Sequence, residues 1–186
     1  MNYATFWQRF AAMWIDFFVL LPLMVVDVWL QSMSLVAAII LVVPTTAAYW
    51  AYTIYCHGRF GKTIGKHAMG IRVVQTTGER IGWREAWLRS SVDVVLSVFG
   101  VISSFVALAA IADSQYYGVG WIQRGQNLHA LEPSWLAWTY TAGQIWIWSE
   151  LVVMLFNKRR RALHDFIAGT VVTAEQGISD VQTHTA

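Results

Sequence analysis

Residues 34 to 55, SLVAAIILVVPTTAAYWAYTIY, run for 22 positions without a charged side chain. A helix of that length is about 33 Å long at ~1.5 Å per residue, enough to cross ~30 Å of hydrocarbon. Working outward, residues 10 to 30 contain FFVLLPLMVV and are interrupted only by Asp16 and Asp27. Residues 86 to 112 pass Arg89 and Asp93 before an uncharged run from Val94 to Ala112, and residues 133 to 156 carry only Glu150. The pattern predicts an all-α membrane protein with four transmembrane helices, at about 10 to 30, 34 to 56, 86 to 112 and 133 to 156. Pro133 suits a first helical turn, where its missing N–H has no partner to lose, while Pro22 and Pro44 predict kinks within their spans.

Composition agrees. Of 186 residues, 56% are apolar and 13% charged, with a mean hydropathy of +0.46, whereas soluble domains carry about 25% charged residues. A chain this short cannot bury four such helices inside a soluble core. Only Arg9 precedes the first apolar run, which is longer than the core of a signal peptide, so the segment is expected to stay attached. The single cysteine, Cys56, has no intramolecular disulfide partner, and Cys56 beside His57 lacks the spacing of a zinc site, so neither metal nor cofactor is expected.

Orientation follows from the 13 Lys and Arg residues. Arg9 precedes the first span; Arg59, Lys62, Lys66, Arg72, Arg80 and Arg84 lie between the second and third; Arg89 opens the third; and Lys158, Arg159, Arg160 and Arg161 follow the fourth. Arg124 alone lies between the third and fourth. Twelve against one places both termini and the 58 to 85 segment in the cytoplasm, with the turn at 31 to 33 and the loop 113 to 132 outside. The basic runs read as topology signals and lipid-headgroup contacts; without a recognition fold beside them, no nucleic-acid partner is expected.

The cytoplasmic segment is rich in glycine. Within it, GIRVVQTTGERIGW reads as a strand, a Thr77-Gly78 turn and a second short strand, a small hairpin. GKTIGKHAM is expected to lie along the membrane surface with Lys62 and Lys66 reaching water or phosphate. Gly61-Lys62-Thr63 lacks the glycine five positions earlier, occupied by Cys56, that a phosphate loop requires. After the fourth span, Val171 and Val172 are expected to pair with the strand at Ile71 to Val74. The organisation is a single membrane domain over residues 1 to 173 and a mobile tail from 174 to 186.

Ionisable side chains at bilayer depth require a partner or a function. Arg9 and Asp16 are seven residues apart, a rotation of about 700°, and Asp27 lies five turns from Arg9, so the three form one stripe that should face protein or water. Arg89 and Asp93, four apart, are spaced for an intrahelical ion pair, and Glu150 sits about two turns inside the fourth span. These six residues are either mutually neutralising structural charges or sites at which a carboxylate such as Asp16 or Glu150 takes up a cation or a proton. Trp135, Trp138, Trp146 and Trp148 read as interfacial anchors or packing, and His164 beside Asp165 as a hydrogen-bonded pair or a proton relay. With no GxSxG, HExxH or kinase signature, the chain is not expected to be an enzyme.

FWQRFAAMWIDFFVLLP, GKTIGKHAMGIRVV, TTGERIGWREAWLRS and RRRALHDFIAGTVV together resemble the RDD family of small bacterial and archaeal integral membrane proteins, named for one arginine and two aspartates, from Phe6 to Val172. The resemblance implies that the arginine is Arg9 and the first aspartate Asp16; the second is Asp165 of the ALHD motif or, as the less favoured alternative, Asp93. The external stretch YYGVGWIQRGQNLHALEPS and the Trp-rich fourth span depart from the family pattern. The resemblance implies no settled activity, sodium/proton exchange being one proposal. The expectation is a bacterial cytoplasmic-membrane protein that is a small cation/proton exchanger, working as a homo-oligomer, or a non-transporting scaffold or accessory subunit bound to a membrane partner protein.

Overall fold

The computed structural model describes residues 2–175. Three helices are long and apolar enough to cross a membrane: α1 (Phe6–Met33), α2 (Leu35–Phe60) and α4 (Trp83–Ala110). Short helices α3 (Ile64–Ala68), α5 (Asp113–Tyr116), α6 (Trp121–Ala130) and α8 (Leu163–Ile167), a 3-10 turn at Ser134–Leu136, the helix α7 (Ala137–Phe156), and strands β1 (Ile71–Gln75) and β2 (Thr170–Ala174) complete the described chain. The fourth apolar run thus forms a 20-residue helix, α7, about 30 Å long.

Helix α2 packs most extensively on α4 and less on α1, while α7 rests on α4 and α8. Large apolar side chains such as Leu23, Val28, Val36, Val43 and Val98 point outward from these helices, the inverse of a soluble bundle, and the surface they form is the one lipid would cover. Thr5 starts α1 with a reciprocal cap: its hydroxyl accepts from Gln8 N–H at 3.2 Å while Gln8 Oε1 accepts from Thr5 N–H at 2.8 Å. Ser34 separates α1 from α2 and caps the latter. Both Pro22 and Pro44 lie inside helices that continue through them. Beyond Pro44, the hydroxyls of Thr45 and Thr46 donate to the carbonyls of Leu41 and Val42 at 2.7 and 2.9 Å.

The connections gather at the two ends of the bundle. At one end, buried Tyr116 of α5 packs with Ala38, Leu108 and Ile111, its hydroxyl donates to Gln31 carbonyl, and Arg124 of α6 lies over its ring. The stretch 113 to 132 is therefore folded as helices against the α1–α2 turn. At the opposite end, Ala4, Ala12, Ile71, Val73, Ile81 and Val172 form a second small core. Residues expected on the two sides of a membrane are segregated to the two ends.

The second core holds the sheet. β1 pairs antiparallel with β2, Val73 opposite Val172 and Val74 opposite Val171, as the β-branched runs suggested. The hairpin expected within 58 to 85 is not the principal pairing: its second strand is reduced to a single bridge between Val74 and Arg80. The reason is burial, since β2 brings Thr170, Val171 and Val172 into the core whereas Thr76 to Arg80 are exposed. Ala174, assigned to a mobile tail from sequence, belongs to β2, and residues 176 to 186 of that expectation lie outside the described residues.

Candidate functional site

The polar residues of α1, α4, α7 and the short elements α3 and α8 meet at the end of the bundle that carries the sheet. Its centre is Asp165, in the first turn of α8 and fully buried. Asp165 Oδ2 accepts from Arg9 NH1 at 2.9 Å and from Ala162 N–H at 3.1 Å. Its Oδ1 accepts from Arg89 NH1 and from the Thr170 hydroxyl, the latter at 3.1 Å. Arg89, 7% exposed, also donates to Thr170 Oγ1 at 2.8 Å. Arg161 secures the backbone around this knot, donating to the carbonyls of Asp165 and Thr170 at 2.8 and 3.0 Å. Burial by itself would push the Asp165 carboxyl upward, but the charges of Arg89 and Arg9 outweigh it and hold the group well below the usual carboxylate range.

Asp16 makes a second closed set of bonds. Its Oδ1 accepts from Tyr52 hydroxyl at 2.7 Å and from Gly65 N–H at 2.8 Å, and its Oδ2 from Thr63 hydroxyl at 2.5 Å. Helix α3 is thereby drawn onto α1, so closely that a Cβ on Gly65 would lie 2.0 Å from the carbonyl oxygen of Ala12. Lys66, on the same short helix, is only partly exposed. Burial, then the charge of Arg89, brings its ammonium down to about 8 against the pull of Asp16. The expectation that Lys66 reaches freely into water or headgroups is therefore corrected: Asp16 draws its helix inward against the charged knot.

Glu150 of α7 lies beside His164: the ring Nδ1–H donates to Glu150 Oε1, leaving Nε2 to accept from Arg89 NH2 at 2.8 Å. The neutral ring is the tautomer that satisfies both contacts. His164 Nε2 stands 3.8 Å from Asp165 Oδ1, so the neighbours in sequence are linked through Arg89 and not by a direct hydrogen bond. Asp93 accepts from the indole N–H of Trp146 at 2.9 Å. The Arg89–Asp93 ion pair read from their spacing does not form: Arg89 turns to Asp165 and Asp93 to α7. An i,i+4 interval permits a contact, but a buried carboxylate supplied by another element competes for the same guanidinium. Asp27 remains apart toward the other end, half-buried, accepting from Gln31 Nε2 at 2.6 Å.

The six charged residues singled out on the long helices therefore divide. Arg9, Arg89 and Glu150 converge, directly or through His164, on Asp165; Asp16 lies one segment away, and Asp93 and Asp27 bond elsewhere. Sequence reasoning missed Tyr52, Thr63, Thr170 and Trp146 as partners, because a hydroxyl or indole on a distant element carries no spacing signal. It also missed His57, 4% exposed, whose Nδ1–H donates to Thr53 carbonyl at 2.8 Å and whose buried Nε2 has no partner among the described residues.

Outward-facing apolar helices joined at one end by an internal ionic knot define an integral membrane protein. The sequence model of the RDD family matches residues 3–169, and the chain belongs to that family. No curated protein and no solved structure gives a significant match.

Proposed function

We propose that this RDD-family protein is a membrane scaffold or accessory subunit in which Arg9, Asp16 and Asp165 are fixed struts joining the helices to the sheet-bearing cap. One observation carries the reading: both carboxylate oxygens of Asp16 and of Asp165 accept hydrogen bonds from protein donors, seven such bonds in all. A carboxylate so engaged offers no site for a cation without breaking the contacts that hold the cap. In this reading α7 is the fourth span, both termini and the sheet lie on the cytoplasmic side of a bacterial membrane, and a membrane partner protein occupies the scaffold. No catalysis is involved.

Cation/proton exchange is the second reading. It is favoured by Asp93 and Glu150, whose second oxygens, Oδ2 and Oε2, have no protein donor among the described residues. In that version the titrating groups are Asp93 and the Glu150–His164 pair, and the small bundle works as a homo-oligomer. Reconstituted liposomes with sodium and proton gradients separate the two. The scaffold reading expects no flux and a partner recovered at fixed stoichiometry on purification. Sodium- or proton-coupled flux that survives Asp16→Asn but is lost in Asp93→Asn or Glu150→Gln establishes the second reading and removes the first.

A further inference from the structure

Away from the knot, three arginines from three separate segments line one cleft: Arg59 in the last turn of α2, Arg72 on β1, and Arg80 after the turn that follows β1. The backbone fixes their spacing. Gly61 ends α2 in a left-handed conformation with φ +71°, and its carbonyl accepts from Val73 N–H at 2.8 Å. A Cβ there would come within 3.1 Å of the Val73 carbonyl, so the end of α2 and β1 are joined as closely as glycine allows. Arg80 is placed by its bridge to Val74 and by the bond from Gln75 N–H to Glu79 carbonyl at 2.8 Å.

The guanidinia are under-compensated. Among the described residues, Glu175 is the one carboxylate within ion-pair distance of any of them, 2.9 Å from Arg72 Nε, and it is shared with Lys62 at 2.8 Å. Arg59 and Arg80 have no carboxylate partner among those residues and are exposed. The cavity is about 20 Å³, which accommodates an oxygen-sized group and excludes a buried metabolite. Beside it, exposed Phe60 packs against Tyr55 and Tyr55 against Trp83, each pair 5.9 Å between ring centres. Tyrosine and tryptophan on the outside of membrane-spanning helices mark headgroup depth, where lipid phosphates lie.

We propose that Arg59, Arg72 and Arg80 bind the phosphate of an anionic phospholipid. Guanidinia present forked donors to phosphate oxygens, and the aromatic strip sets the cleft at the level where a diester arrives attached to its acyl chains. The test uses the full chain in neutral detergent, with bound lipid counted by native mass spectrometry during titration with phosphatidylglycerol or phosphatidylcholine, and with inorganic phosphate in a third arm. Preferential retention of phosphatidylglycerol is expected, weakened about tenfold to thirtyfold by Arg59→Ala/Arg80→Ala. The charge-matched control, Lys158→Ala/Arg159→Ala, is expected to lower that retention much less, because those cations meet headgroups without a fixed cleft of three arginines. If the alanine pair does not fold, Arg59→Lys/Arg80→Lys keeps the charge but loses the fork and should weaken retention several-fold. Equal retention of the two lipids, equal loss in the control, undiminished retention in the lysine pair, or inorganic phosphate displacing the lipid at equal concentration overturns the proposal.

Discussion

Replacing Asp165 by asparagine tests the ionic knot most directly, because the amide is nearly isosteric and removes only the charge and two acceptor positions. In the native protein a fully buried carboxylate faces two guanidinia whose side chains are 11% and 6% exposed. With asparagine, one oxygen continues to accept from Arg89 and Thr170, while the new NH₂ meets Arg9 NH1 and Ala162 N–H, both donors. Breaking a buried pair in this way destabilises by about 3–5 kcal/mol, and the two stranded cations place this substitution toward the upper part of that range. For a chain of this size each kcal/mol moves the midpoint by about 2–4 °C, so Tm should fall by roughly 10 °C. The assay is thermal unfolding of the detergent-solubilised protein followed by tryptophan fluorescence, with helix content checked first by circular dichroism. A pH series sharpens it. Asp165 has a folded pKa below its unfolded value, so its stabilisation is present above about pH 4 and is lost as pH falls through the lower folded value. The wild type should lose stability on acidification over that window, and Asp165→Asn should lose less. A Tm change under about 2 °C, or identical acid sensitivity in the two proteins, would refute the structural role assigned to the knot.

Gly65→Ala should destabilise by about 1–3 kcal/mol by forcing α3 away from α1, since its Cβ would overlap the Ala12 carbonyl; the same thermal assay should show Tm lowered despite the better helix former. Lys66 has its folded pKa lowered to about 8 from 10.5, so wild-type stability should rise between those values as the unfolded chain retains the proton longer. Lys66→Met should abolish that alkaline rise and be at least as stable as wild type at pH 7, checked by Tm across pH 7 to 10.

How much of the site was legible depended on the range of each interaction. The Arg9–Asp16 stripe was visible because both lie on one helix and helical period converts a seven-residue interval into a shared face. That Arg9 would choose Asp165, 156 positions away, follows from no periodicity. Arg89 shows the converse, for local spacing offered Asp93 while the fold supplied Asp165 and Thr170. Glu150 could be recognised as a charge in need of a partner, but His164 becomes that partner only when the chain after α7 folds back onto α4.

Hydrophobic length and charge asymmetry are properties of the chain itself, because lipid solvates each apolar run independently of its neighbours. From them alone the membrane character, the long helices and the gathering of basic residues at one end of the bundle could be read, as could the β-branched runs able to pair. Tertiary structure decided which carboxylate neutralised which cation, drew α3 onto Asp16 and replaced the local hairpin by the β1–β2 pair. Those choices are competitions among partners distant in sequence, settled by burial and hydrogen-bond geometry that exist only once the elements have met.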